Sequence, residues 1–205
     1  MMLPTHVLSG MALALPLLVV APEFAPVGLV AGFLGGLAPD LDMYFGHRKT
    51  LHYPVYYSVL AAVAVPVTLA APSTVTIAMA LFFLGAALHC VADVFGGGLE
   101  LRPWEGTSER AVYDHLRGEW IAPRRTVGYD GSPADLLLMG VFAVPLLAVL
   151  DGPLWLVVLG TALVGAVYTL TRRHLAALAP IVVRALPSTV HPYVPARYRS
   201  EGRGQ

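Results

Sequence analysis

Lysine and arginine are confined to a few parts of this chain: none precedes Arg48, none lies between Lys49 and Arg102, and none between Arg125 and Arg172. The intervals between them are long and apolar. The chain as a whole is 57% hydrophobic and only 13% charged, against about 25% charged in a typical soluble domain. Its mean hydropathy is +0.68. A backbone surrounded by lipid must satisfy its own hydrogen bonds, and a helix does this within one segment. These constraints predict an all-α, polytopic membrane protein.

Apolar runs at 6 to 22, 26 to 38, 54 to 71, 74 to 95, 135 to 150 and 153 to 171 give about six membrane helices. The second run is short, reaching roughly 20 Å at 1.5 Å per residue against a hydrocarbon core of about 30 Å. The first two runs are therefore read either as crossings or as a re-entrant hairpin tipped by Pro22, Glu23 and Pro26. Either way, all 13 Lys and Arg residues fall on one side, while the opposite connections carry Glu23, Pro72-Ser-Thr and Asp151. The positive-inside rule makes the basic side cytoplasmic, with both termini there, in the cell (inner or plasma) membrane.

Residues 1–186 are expected to form one membrane-embedded domain, with the segment 96–134 inserted as a cytoplasmic loop. Within that loop Arg117-Gly118 has the character of a turn between two short extended arms, a small hairpin lid. From Arg172 to Arg184 basic and apolar residues mix as in an interfacial helix, with a kink expected at Pro180. Residues 187–205, rich in Pro, Arg and Gly, read as a loosely ordered tail. No basic n-region precedes the first apolar run, so Met1 onward is expected to be retained. The single cysteine, Cys90, provides neither an intramolecular disulfide nor a Cys-rich zinc site. A formal net charge of +0 gives no footprint for nucleic acid.

Ionisable groups inside apolar helices are costly and mark functional sites by default. His89 and Asp93, four residues apart in the fourth run, fall on one helical face and suit a shared metal ion. Pro39-Asp40-Leu-Asp42 follows Gly35-Gly36. Two carboxylates at i and i+2 of an extended segment lie on one side, where both can reach one ion or a pair of ions. His47, Arg48 and His52 come next, and His6 opens the first run at the same membrane level. His6, Asp40, Asp42, His52, His89 and Asp93 thus form a candidate set of nitrogen and oxygen ligands for a divalent metal, zinc first, with manganese or iron as alternatives. Asp40 or Asp42 is a candidate general base, and Arg48 a fixed charge for a phosphoryl group. Helix ties, loop acids and a headgroup-binding basic cluster are the plainer readings of the same residues. His115 and Glu119 share the i, i+4 spacing, but in a hairpin that register does not pair them as ligands.

The ordered set Thr5-His6 with Gly10, Pro39-Asp-Leu-Asp42, Gly46-His-Arg48 leading to His52, and His89-x-x-x-Asp93 followed by glycines and Trp104 resembles the YdjM-like inner-membrane-associated metal-dependent hydrolases. The likeness covers roughly residues 1 to 105. It implies a membrane-embedded helical hydrolase with His6, Asp40, Asp42, His47, His52, His89 and Asp93 at the functional positions. Two places depart from the family pattern. His47-Arg-Lys-Thr-Leu-His-Tyr53 stands where His-Arg-Gly-x-Thr-His-Ser is usual, and Gly96-Gly-Gly98 replaces a Thr-Pro element. The order of ligands is also distantly similar to zinc-dependent phospholipase C and P1-type nucleases.

These readings converge on a metal-dependent hydrolase, with Asp40, Asp42, His47 and Arg48 as catalytic groups, acting on a phosphoester or phospholipid at the cytoplasmic face. A transporter or a non-catalytic metal-binding membrane protein is the alternative. The lipid bilayer is the one expected partner.

Overall fold

The computed structural model describes residues 1–199. It is built from helices α1 (Leu3–Ala12), α2 (Leu17–Val20), α3 (Ala25–Leu37), α4 (Pro54–Ala70), α5 (Thr74–Val94), α6 (Pro133–Val149), α7 (Gly152–Ala185) and α8 (Ala196–Arg199). The only strands among the described residues are β1 (Val112–Asp114) and β2 (Glu119–Ile121). They pair antiparallel, Val112 opposite Ile121, around the expected turn, where Gly118 takes a φ of +73°.

Four segments are long and apolar enough to cross a membrane: Leu3–Val20, Pro22–Asp42, Thr74–Val94 and Gly152–Ala185. Helices α4 and α6 are apolar as well but have 17 residues each, about 25 Å of helical rise. The expected six membrane helices therefore divide into four of spanning length and two shorter ones. Val59 and Val63 on α4, Leu137 and Val141 on α6, and Val167 and Leu170 on α7 are all exposed. Large apolar side chains turned outward in such numbers fit contact with hydrocarbon.

Pro180 does not end a helix, because the interfacial helix expected at 172 to 184 is continuous with the preceding apolar run in the 34-residue α7. Residues 191–193 and 196–199, expected to be loose, form a 3-10 turn and α8. The remainder of the expected tail, 200–205, lies outside the described residues.

Helices α1, α3 and α5 pack on one another at the centre. Glycine allows this closeness. A Cβ at Gly10 would collide with the Gly32 carbonyl, one at Gly36 with the carbonyl of His6, and one at Gly35 with the carbonyl of Phe82. Small residues at such crossings are the usual means of helix association in lipid, where apolar burial gives no advantage. Around this core Leu8, Met11, Leu29, Leu146 and Val158 are fully or almost fully buried. Helix α7 packs on α1 and α6.

Two buried acids tie the C-terminal helices to the rest. Asp135, in the first turn of α6, accepts hydrogen bonds from the Met2 amide at 2.7 Å, the Thr5 hydroxyl at 2.7 Å and the Gly131 amide at 3.0 Å. The cap of α6 is Ser132, whose hydroxyl accepts from the Asp135 amide. Asp130 pairs with Arg172 Nε at 3.0 Å and accepts from the Tyr168 hydroxyl. Burial alone would raise the Asp130 carboxyl, but the Arg172 guanidinium and the Tyr168 hydroxyl hold it below the usual carboxylate range.

Replacing Gly10 with Ala inserts a methyl group into the Gly32 backbone. The expected cost is about 1–3 kcal/mol, as for other overpacked cores, read as a lower melting temperature of the purified protein. Gly140→Ala, where an added Cβ meets nothing within 4 Å, is expected to be neutral or slightly stabilising.

Candidate metal centre

The glycine-lined crossing sets the height at which α5 meets the end of α3. His89 and Asp93 project from one face of α5, one turn apart, with Nε2 and Oδ2 separated by 3.6 Å. Gly36 lies in the last turn of α3, where a carbonyl has lost its intrahelical donor. His89 Nδ1 donates to that Gly36 oxygen at 2.7 Å. A carbonyl can only accept, so a proton sits on Nδ1 and Nε2 is turned inward, where in a neutral ring it carries the lone pair a metal ion needs.

After α3 the chain does not extend. Residues Ala38–Asp42 form a 3-10 turn, and with three residues per turn, side chains two apart diverge. The extended segment expected at Asp40 and Asp42 is thus a 3-10 turn, and the two acids fall into two different groups of possible ligands that share His52. Asp40 reaches towards His89 and His52, at 3.5 and 3.7 Å from their Nε2 atoms. Asp42 turns instead into the loop that follows.

That loop, residues 43 to 53, is wound around the Asp42 carboxylate. Its Oδ1 accepts from His47 Nδ1 at 3.1 Å and the Arg48 amide at 3.3 Å. Its Oδ2 accepts from the Leu51 amide and from His52 Nδ1, both at 3.0 Å. Arg48 adopts a φ of 61°, a conformation costly for a residue with a Cβ. Hairpin β1–β2 braces the same loop, since the Tyr113 amide donates to the Arg48 carbonyl at 3.0 Å and Lys49 lies over the Tyr113 ring. Asp42 therefore does to His52 what Gly36 does to His89: it fixes the proton on Nδ1 and turns Nε2 inward.

The outcome is a quartet of Asp40, His52, His89 and Asp93, each offering one ligand atom, with all four within 4.8 Å of one another. His52 Nε2 and His89 Nε2 are buried and have no hydrogen-bond partner. The two Nε2 atoms face carboxylate oxygens of Asp40 and Asp93 at 3.4–3.7 Å, too long for good hydrogen bonds. This buried group could hold a metal ion, and an orphaned nitrogen pair between carboxylates is what such an ion would satisfy.

Asp93 divides its two oxygens. Oδ2 faces the histidines, 3.4 Å from His52 Nε2. Oδ1 is held from outside by His6 Nε2 at 3.0 Å, Arg48 Nη2 at 3.3 Å and the Met1 amino group at 2.5 Å. His6, expected as a ligand, thus stands beside the quartet: it donates to Asp93 and stacks on His89 with ring centroids 3.7 Å apart. Arg48 also donates to the Gly97 carbonyl at 2.7 Å, while its Nε is buried without a partner.

Access is one-sided. The side chains of His52, His89 and Asp93 are at most 1% exposed, while Asp40 retains 9% and His47 17%. Burial pushes the His47 imidazole below its ordinary value despite the hydrogen bond to Asp42. A second group, Asp42, His47 and His52, also lies close enough for an ion, but its carboxylate is already taken up by the four bonds above. His115 packs against Tyr53 on the hairpin and Glu119 is exposed, so this pair forms no ligand site.

The roles of the Gly36 and Gly97 carbonyls as acceptors, and the Asp130–Arg172 and Asp135–Thr5 contacts, were not predicted from the sequence. For the two ties the one signal is a charged residue at the edge of an apolar run. No family model, characterised protein or solved structure matches the chain.

If Asp42 orients His52 without ligating, Asp42→Asn weakens divalent-metal binding by roughly 10–100-fold without abolishing it. Calorimetric titration of the purified variant with zinc measures this. Complete loss of binding would identify Asp42 as a ligand instead.

Proposed function

We propose that this chain is a multi-pass membrane hydrolase. It uses a divalent metal ion, zinc in the first instance, on a phosphoester at the cytoplasmic face, in the manner of the YdjM-like family it resembles. The observation that carries this reading is the pair of buried, unpartnered Nε2 atoms of His52 and His89 set between Asp40 and Asp93. In this reading α4 and α6 complete six crossings with both termini cytoplasmic, the shorter helices being accommodated by local thinning of the bilayer.

Asp40, His52, His89 and Asp93 would hold the ion, which when bound supplies Lewis acidity and a hydroxide near neutral pH. The remaining work belongs to the chain. Asp42 and the Gly36 carbonyl keep the two imidazoles in the ligating tautomer. His6 and Arg48 hold Asp93 Oδ1, so that Oδ2 stays turned to the histidines. Arg48 places a permanent charge beside the site, and its free Nε can donate to an anionic oxygen of the substrate. Asp42 is fully engaged, which leaves Asp40 and His47 at the open edge as the groups able to move a proton. Hydrocarbon side chains on α1, α3 and α5 keep bulk water out, which strengthens each of these interactions.

Elemental analysis and assays of phosphomonoester and phosphodiester hydrolysis on wild type, His89→Ala and Asp93→Ala test the assignment. Both variants are expected to lose the metal and the activity, and unchanged metal content in both would overturn it. Arg48→Lys is expected to keep the metal while turnover falls roughly 100-fold, as for loss of one preorganised donor.

A further inference from the structure

One large cavity, about 610 Å³, opens onto this site. Its polar end holds Asp40, His47 and Arg48, the groups at the accessible edge of the quartet. From there it runs between two apolar walls, with Val7, Phe33 and Leu37 from α1 and α3 on one side and Val157, Gly160 and Val164 from α7 on the other. Its lining on α7 extends from Leu156 to Arg172, about 24 Å of helix. That is most of the ~30 Å hydrocarbon thickness.

Polarity is segregated along the cavity. The charged side chains on the lining, Asp40, Arg48, Glu100, Asp130, Arg172 and Arg197, come from the loops, the C-terminal half of α7 and α8, and none comes from α1, α3 or the stretch of α7 from Leu156 to Tyr168. Leu156 and Val164, on that stretch, are also 63% and 62% exposed, so the cavity is open sideways on the outer face of α7. A water-soluble phosphoester would leave the long apolar part empty. A molecule with an anionic head and one hydrocarbon tail fills both parts, and it can enter from the bilayer without crossing water.

We infer that this cavity is the binding site for the hydrocarbon chain of a single-chain lipid phosphate ester, whose phosphate sits at Arg48 beside the quartet. The inference rests on the phosphoester reading above and names its substrate class. The buried Arg48 Nε, which has no partner in the protein, is the donor for the phosphate oxygen. The tail lies along α7 with its end near Val157. Gly160 keeps the middle of the cavity open: a Cβ placed there meets nothing within 4 Å, so a larger side chain fills the cavity without disturbing its neighbours.

The test uses full-length protein in phosphatidylcholine vesicles. The probe is a single-chain alkyl phosphate bearing a photoreactive diazirine at the chain end, and labelled residues are mapped by mass spectrometry. Labelling is expected around Leu156 and Val157 at about ten-fold above the outward-facing Leu137 and Val141, and the same chain ending in trimethylammonium is expected to lack this preference. Gly160→Phe is expected to abolish the preference while the metal content stays at the wild-type level. Uniform labelling of all outward faces would show bilayer lipid only and overturn the proposal. So would exclusion of the probe from the cavity because α7 of a second copy covers it. Labelling requires no turnover and is repeated in His89→Ala. Chain-end labelling without any hydrolysis by the metal-loaded wild type would overturn the hydrolase reading and leave the lipid site standing.

Discussion

A bilayer offers no hydrophobic force to press one helix against another, so helices in it meet where their backbones can touch. In this chain that condition is met at Gly10, Gly32, Gly35 and Gly36, where α1 and α5 approach α3 so closely that a Cβ would strike a carbonyl. Everything at the candidate centre is positioned by this crossing. It lowers His89 onto the Gly36 carbonyl and sets His6 of α1 against the His89 ring. It also brings Asp93 to the level at which the α3 helix ends and the Asp40 turn begins. Had the helices been spaced by leucines, as in a water-soluble bundle with axes 8–10 Å apart, the same residues would lie too far apart to share an ion.

The cost of this arrangement explains its second layer. Asp40, Asp42 and Asp93 are carboxylates in or beside apolar helices, and the guanidinium set against Asp93 is that of Arg48. Burying a carboxylate is tolerable only when each oxygen has a donor or a cation. Asp42 meets the condition with four hydrogen bonds from its own loop. Asp93 meets it on one oxygen and leaves the other facing the Nε2 atoms of His52 and His89, 3.4 and 3.6 Å away. A metal ion held between these atoms would supply the missing partner. The strained backbone of Arg48 belongs to the same accounting. Its left-handed φ lets the amide reach Asp42 while the side chain reaches Asp93.

The sequence carried much of this information at the level of spacing. The i, i+4 relation of His89 and Asp93 on an apolar helix and the confinement of Lys and Arg were enough to place apolar helices and gather Asp40, His52, His89 and Asp93, together with His6 and Asp42, into one candidate set. The hairpin at Arg117-Gly118 was legible from turn chemistry. What spacing did not reveal was the local geometry after α3. A short Pro-Asp-Leu-Asp segment is compatible with extended or 3-10 backbone, and the choice between them decides whether the two acids act together or separately. Contacts such as Asp130 with Arg172 were hidden for a different reason, since the partners lie 42 residues apart and only the packing of α7 brings them together.

The separation of Asp40 from Asp42 also bears on how one site can be both rigid and accessible. Ligands that must hold a tautomer need fixed partners, and these are buried: Asp42 under the loop and the Gly36 carbonyl between helices. The less buried side of the group is formed by Asp40 and His47, which line the cavity. Had both acids pointed to the ion, His52 would lack its orienting carboxylate and the 43 to 53 loop would lose the centre around which it is wound. The 3-10 turn assigns one carboxylate to each task, so the orienting bonds stay closed while the edge of the site remains open to the membrane-facing cavity.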